Sequence, residues 1–438
     1  MADPIIAGRR RFGPQIFWGG VLAVSRGVCA HQPAIAMDSR HMGPVMSGAP
    51  TTMSMNAGMS GMAMGPLMTI GMLLIIGGTL AAGYGLLPGP ATRNAAMRPA
   101  PRLAPALDGR MTRAHWELTG VLTIAVIIDV MKPATLGFVM PGMAKDYALS
   151  RSELAVLPFV ALTGTAVGSY IWGVLADRFG RRAAILLAAI MFVGTAICGA
   201  MPSYAWNVFM CFMMGLPAGG MLPIAYTLLS EVAPARHRGW LLVMLGGAAL
   251  AGGYLAASTA AALFEPQYGW RILWLLGMPT GLALVLLNSR IPETPGFLLS
   301  QGRTDEFDRV VARYGLVPSR GTVSSPQPVD AGRNGAEPRV FGKPMLGMSV
   351  ALNLTAVVWG LVNFGLLLWL PTDLQAIGLD AAQANALLAK SSFYALPIAL
   401  VAARRHGVGF VRAGCAGSGG VRALVRSAAA VRPRDDRQ

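Results

Sequence analysis

The chain has 438 residues, 54% of them hydrophobic and only 13% charged, with a mean hydropathy of +0.52. Soluble globular proteins carry about 25% charged residues, so this composition excludes a soluble fold and points to an all-α polytopic membrane protein. The net charge of +16 comes almost wholly from arginines gathered in a few segments, which suits loops beside anionic lipid and excludes a nucleic-acid partner.

Residues 1–65 read as a Met/Gly-rich, disordered N-terminal segment. Arg9, Arg10 and Arg11 followed by an apolar stretch to Val24 resemble a short signal-peptide core, but Arg26 interrupts it and an irregular leader fits equally well. Residues 37–65 are of low complexity, with Met53, Met55, Met59, Met62 and Met64 among Gly, Ser and Ala. Thioether sulfur is a soft ligand suited to Cu(I). A methionine-biased linker without ligand geometry is the alternative, favoured by the lack of a regular Met-x-x-Met spacing. The four cysteines, Cys29, Cys198, Cys211 and Cys415, form no CxxC pair, so neither a disulfide framework nor a zinc site is expected.

Residues 66–87 form a first apolar run long enough to span a bilayer. The linker 88–116 then sets Arg93, Arg98, Arg102, Arg110 and Arg113 against the single acid Asp108. Its charge makes it cytoplasmic, which leaves the methionine-rich segment outside. Six more spans are expected within 117–290, at about 117–140, 153–176, 183–201, 206–230, 240–263 and 271–289. The inner loops carry Arg178, Arg181 and Arg182, then Arg236 and Arg238. The outer loops are poorer in cations, so the orientation is consistent along the chain.

The cytoplasmic loop 291–343 contains one expected soluble helix at 304–314, where Phe307, Val310, Val311 and Tyr314 follow helical spacing. Residues 318–340 read as disordered. Two spans at 346–370 and 383–402 lie within 344–403, and an Arg-rich tail fills 404–438. The tail leaves no neutral run of span length, so it is either a basic cytoplasmic tail or a frame artefact replacing the rest of a longer protein.

Three places carry chemistry. Asp129 and Lys132 lie within one span, three residues apart and so on one helix face. Charges at that depth are costly and usually mark a proton or substrate path, although a mutually neutralising pair is the alternative. Asn363 lies in a later span, where it would face a cavity or bond another helix. The third place is the turn Gly173-Val174-Leu175-Ala176-Asp177-Arg178-Phe179-Gly180-Arg181-Arg182 between two spans. Gly173 would admit a neighbouring helix, and Gly180 permits the backbone reversal. Asp177 sits at a helix C-terminus, where the dipole disfavours an anion, so it needs a partner. Glu231 ends another span beside Arg236 and Arg238 and would pair with Arg236 or Arg182. Gly215, Gly219 and Gly220 fit close helix packing. Trp270 fits the aromatic belt at the outer interface, and His237 fits a solvated loop. No nucleophile–base arrangement stands out and GxxxxGK[ST] is absent, so neither an enzyme nor an ATP-driven pump is expected, and no cofactor.

The charged turn, Leu136-Gly137-Phe138-Val139-Met140-Pro141, Glu231 with Arg236-His237-Arg238-Gly239, Pro292-Glu293-Thr294-Pro295 and Phe364 through Pro371 occur in an order that resembles the major facilitator superfamily. The resemblance covers 117 to about 402 and lies toward sugar porters and metabolite:proton symporters. It implies a six-helix bundle, an incomplete second bundle, an extra N-terminal membrane helix, and transport by rocking of the bundles. It further implies a small organic solute, such as an organic acid, carried with a proton across the cell inner membrane. Asp129, Lys132 and Asn363 would serve proton and substrate. Gly173, Asp177, Arg178, Gly180, Arg181, Arg182, Glu231, Arg236 and Arg238 would form the cytoplasmic gate. The chain departs from the family at Cys211, where an arginine is common, and at Gly296, where sugar porters have arginine. It shows Gly246-Gly247 and Gly252-Gly253 without the proline of drug antiporters. Truncation of the second bundle would leave Asp177 without the family's partner. A non-transporting remnant or a copper-binding accessory protein is the alternative.

Overall fold

The computed structural model describes residues 13–30, 66–86, 103–105, 110–201, 203–318, 346–397 and 401. The expected Met-rich segment, the disordered stretch 319–340 and the tail 404–438 lie outside the described residues. Helix α1 is Gly13–Ala30 and α2 is Pro66–Leu86. The bundle follows as α3 (Arg113–Asp146), α4 (Arg151–Phe179), α5 (Arg181–Ala200), α6 (Tyr204–Val232), α7 (Ala235–Tyr268) and α8 (Arg271–Arg290). Two short helices, α9 (Pro295–Ser300) and α10 (Thr304–Tyr314), precede α11 (Ser349–Ala376) and α12 (381–397). Among the described residues eight helices are long and apolar enough to cross a membrane. This is an all-α polytopic fold.

The expected span at 383–402 falls on α12, which is not among the eight, and residues 398–400 lie outside the described residues. Every other expected span falls on one of these eight helices, and most run several residues beyond the apolar core that revealed them. The extensions are polar helix ends, such as Arg113 to Trp116 and Glu265 to Tyr268, which continue the backbone ladder into the interface where hydropathy falls silent. Pro217 and Pro223 stay inside a continuous α6. Lipid tolerates them because neighbouring helices can re-satisfy the freed groups.

The reading of residues 13–30 as leader or disordered segment is corrected by α1. Arg26 is exposed at one edge of that helix while Phe17, Gly20, Val21, Val24, Gly27 and Val28 form a buried stripe. The stripe has helical period, and a single charged residue near the helix end leaves it intact.

Helices in hydrocarbon gain nothing by hiding apolar surface from lipid, so they associate where small residues let backbones approach. The pair α4–α6 shows this. A Cβ at Gly164 would strike the Phe212 carbonyl, one at Gly168 the Leu216 carbonyl, one at Gly215 the Ala161 carbonyl, and one at Gly219 the Thr165 carbonyl. Gly220 lies under the Trp172 ring, whose Nε1 donates to the Ala184 carbonyl at 3.2 Å and so ties α4 to α5. At the end of the bundle opposite Gly180, Asp146 accepts from Trp270 Nε1 at 2.8 Å and from Arg271 Nη2 at 3.2 Å. Arg271 Nη1 reaches the Gly199 carbonyl at 3.0 Å. Trp270 is 3% exposed, so it is an interior hydrogen-bonded residue and not part of an interfacial belt.

A small antiparallel pair, Leu103–Pro105 with Leu316–Pro318, joins the linker before α3 to the segment after α10. Tyr314 packs edge-on against His115 at 5.3 Å. Burial lifts its phenol to about 12, with Arg313 opposing. Glu117 receives Arg313 at 2.9 Å and Arg290 at 3.9 Å.

Gly219→Val forces a branched side chain into the α4–α6 seam and should cost about 3 kcal/mol through overpacking. Gly173 has nothing within 4 Å of a Cβ, so Gly173→Val should stay within about 0.5 kcal/mol. Unfolding in mild detergent, followed by tryptophan fluorescence, checks the contrast.

Candidate functional site

The charged cluster at the turn between α4 and α5 begins with a backbone constraint. Gly180 takes φ +95° between α4 and α5, and a Cβ there would collide with the Glu293 carboxylate. Only glycine leaves room for the acid to reach the first N–H groups of α5. Glu293 Oε1 accepts from Arg181 N at 2.9 Å and from Thr294 N at 3.1 Å, and Oε2 accepts from Arg182 N at 3.3 Å. The carboxylate therefore caps a helix N-terminus, where orphan donors and dipole both favour an anion. Burial pushes the Glu293 carboxyl above its ordinary value, while these three N–H donors and the Arg181 charge pull it back.

Arg181 joins three elements. Its Nη2 meets Glu231 Oε1 of α6 at 3.0 Å, its Nη1 donates to Thr294 Oγ1 at 2.8 Å, and its backbone holds Glu293. Glu231 thus pairs with Arg181, where the sequence suggested Arg236 or Arg182. Asp177 and Arg178 stand exposed at the end of α4 with no hydrogen bond or ion pair among the described residues. Arg236 is exposed on the first turn of α7, Arg238 is half-buried beside it, and Gly173 faces open space. The structure therefore joins Gly180, Arg181, Arg182 and Glu231 around Glu293, and leaves the other gate candidates outside that cluster. Glu293 was visible in the sequence only as part of the Pro-Glu-Thr-Pro run. His237 is half-buried and accepts from Trp240 Nε1 at 3.1 Å, so it is not a free loop residue.

Within the membrane, Asp129 is 4% exposed and its Oδ1 has no hydrogen-bond partner among the described residues. Lys132 does not neutralise it. Its Nζ donates to the Phe192 carbonyl of α5 at 3.1 Å and lies against Gly277 of α8. The helix wheel explains the separation. Gly137, which admits the Leu368 carbonyl of α11, is five residues from Lys132 and so about 140° around α3. Lys132 therefore points into the bundle, away from α11, and Asp129 lies between the two directions. Asn363 sits in a π-helical stretch, Leu361–Leu367, and its Nδ2 donates to the Trp359 carbonyl of its own helix at 2.9 Å. It bonds no other helix.

Helices α11 and α12 meet the bundle at the end opposite Gly180. Arg151 pairs with Asp373 at 2.8 Å and stacks over the Trp369 ring at 5.1 Å. Tyr254 donates to the Leu367 carbonyl at 3.3 Å, and Asn385 donates to Glu265 at 2.5 Å. The other half of α11 is uncovered, with Leu352, Leu354, Val357 and Val358 exposed. The π-helical stretch lies where the uncovered half gives way to the docked one.

Residues 123–331 match the family described as "Sugar (and other) transporter". The niacin transporter of Acinetobacter baylyi is 30% identical over 276 residues, which cover 61% of this chain and 62% of that protein. The 4-hydroxybenzoate transporter of the same organism is 30% identical over 285 residues, 62% and 61% of the two chains. Residues 123–331 are therefore similar to a transporter family, and both of these relatives are named as transporters. The fold is similar to that of a double-tryptophan mutant of XylE, whose crystal structure aligns at a TM-score of 0.50 and 18% identity, over 66% of this chain and 68% of that one. The chain spans about three-fifths of the length of the two bacterial relatives it matches.

Glu293→Gln replaces a charged acceptor with an amide whose –NH₂ faces N–H donors. Loss of hydrogen bonds to a charged group costs about 2 kcal/mol. The expected result is that loss in detergent stability, together with faster amide deuterium uptake at the start of α5, read by mass spectrometry.

Proposed function

We propose that this chain is a secondary active transporter of a small organic acid, coupled to proton symport and resident in the cell inner membrane. The observation that carries the reading is Asp129, a carboxyl enclosed in a transporter bundle with an acceptor oxygen left unbonded. Ionisable groups at that depth are costly and mark proton or substrate paths. Relatives named for niacin and 4-hydroxybenzoate support a carboxylate-bearing substrate. Asp129 exchanges the coupling proton. Lys132, anchored on Phe192, holds the α3 face on which Asp129 sits, and its positive charge adds to the field felt by an anionic solute. Asn363 contributes a polar group at the bend of α11. The Glu293–Arg181–Glu231 cluster keeps the inner ends of α4, α5 and α6 together as one rigid piece, while Asp177, Arg178, Arg236 and Arg238 offer charges for contacts that form and break during the cycle. The substrate, the proton and the lipid bilayer are the partners in this reading.

A second reading rests on Asp177, which has no partner among the described residues: the chain is a membrane protein that binds solute without completing a transport cycle. Purified chain in liposomes separates the two. With an inward proton gradient, the transporter accumulates radiolabelled nicotinate or 4-hydroxybenzoate above equilibrium, and Asp129→Asn lowers accumulation by at least about 10-fold (~1.4 kcal/mol) while solute exchange persists. Binding without accumulation by the unaltered chain favours the second reading. Accumulation that Asp129→Asn leaves untouched removes Asp129 from the coupling role.

A further inference from the structure

The transport reading makes no use of α1 and α2, yet these helices carry a register of their own. Gly13, Gly20 and Gly27 recur at every seventh residue of α1, and Gly71, Gly78 and Gly85 do so on α2. A Cβ at Gly20 would lie 2.5 Å from the Gly78 carbonyl oxygen. One at Gly27 would lie 2.6 Å from that of Gly71, and one at Gly85 2.6 Å from that of Gly13. The matched pairs are 13 with 85, 20 with 78 and 27 with 71, so the helices are antiparallel and a single offset serves all three crossings. Phe17, Val21, Val24 and Val28 close the seam with Ile75, Ala82 and Leu86. Backbone contact of this kind is how helices hold each other in lipid.

Four further observations place the pair. Helix α1 is not among the eight helices apolar enough to span by hydropathy. Its 18 residues nevertheless reach about 27 Å at 1.5 Å per residue, close to the hydrocarbon thickness, and its apolar stripe is matched to α2. Its exposed Arg26 lies one turn from the end, where a long side chain can snorkel to the interface. The pair seats on α5: a Cβ at Gly194 would touch Ile75 at 3.0 Å and Val24 at 3.8 Å, and one at Gly83 would touch Leu187 at 3.8 Å. The flanking charges are asymmetric. Arg9, Arg10 and Arg11 precede α1, and Arg93, Arg98 and Arg102 follow α2, whereas residues 31–65 between the helices hold only Asp38 and Arg40. By the positive-inside rule both arginine clusters are cytoplasmic.

We propose that α1 and α2 form an accessory two-span hairpin that crosses the membrane twice, grips the flank of α5 through this antiparallel seam, and presents residues 31–65 on the extracytoplasmic side. The bundle therefore carries a built-in membrane partner. The glycines of the seven-residue period face each other within the hairpin, and its grip on α5 runs through Val24, Ile75 and Gly83.

The test uses the full chain with Cys415→Ser. Cys198 and Cys211 are buried and Cys29 is exposed, so Cys29 reports the outer end of α1. In intact spheroplasts a membrane-impermeant maleimide labels Cys29, whereas Arg11→Cys in a Cys29→Ser, Cys415→Ser background labels only after permeabilisation. Failure to label Cys29 from outside, or labelling of Arg11→Cys without permeabilisation, overturns the crossing. A protease site engineered between residues 88 and 102 then tests the grip. After cleavage in mild detergent, the N-terminal fragment stays with the bundle through size exclusion. Gly20→Leu with Gly78→Leu releases at least half of it, while the remaining bundle keeps its elution volume. Release from the unaltered seam, or retention in the double variant, overturns the role given to the glycines.

Discussion

Close approach of backbones is the constraint on which this molecule depends. Water is absent from the helix contacts, so no gain comes from burying leucine against leucine in place of lipid. What distinguishes one helix face from another is whether carbonyls and Cα groups can meet. Glycine pairs set α4 against α6 and α1 against α2, and Gly137 opens α3 to the Leu368 carbonyl of α11. Larger side chains then settle around fixed axes: Trp172 over Gly220, Trp270 over Gly142, Lys132 over Gly277. A large residue beside a glycine recurs at each of these sites, because the glycine supplies the hollow and the neighbour fills it.

Polar groups are added to this frame where helices end, and there they act in concert. At the inner end Glu293 binds the start of α5, and Arg181 carries that attachment on to Glu231 of α6. At the outer end Asp146 holds Trp270 and Arg271, and Arg271 reaches the Gly199 carbonyl of α5. In both clusters a carboxylate takes several donors and an arginine spans two partners. Such groups are valuable because each is fully engaged; a buried charge left with one partner removed is strongly destabilising. The transmembrane carboxyl Asp129 breaks this rule within the same bundle, and a local exception of that kind is where function is to be sought.

The positions of most spans were legible because hydropathy and length suffice for them. Pairwise facts were not legible. Glu231 pairs with Arg181, a partner the sequence did not single out, since partner choice depends on how α5 is aimed by Gly180 and Glu293. Trp270 had the composition of an interfacial residue, but Gly142 opposite it decides that it is interior. Lys132 shares a face with Asp129 by spacing, yet a long flexible stem let it follow a carbonyl of α5 instead. Helix α1 was hidden by Arg26, although its seven-residue glycine period was present in the sequence. That period becomes a signal only when the same period is found on α2, because a seam is a property of two strings read in opposite directions.

The two ends of α11 bring these themes together. Its docked end is held by Arg151–Asp373, the Tyr254 hydroxyl and the close approach at Gly137, and its other end stands clear of the bundle. The π-helical stretch Leu361–Leu367 lies at the boundary between the docked and the uncovered half, and π-helical turns are found frequently at functional sites. The contacts at the docked end differ in kind: an exposed ion pair is weak in water, while the backbone approach at Gly137 persists only if the helices stay aligned. The ion pair can therefore break and reform without cost to the fold, whereas separation at Gly137 requires α11 to move as a whole. The same small residue that makes helix assembly possible thus fixes where α11 is held against α3.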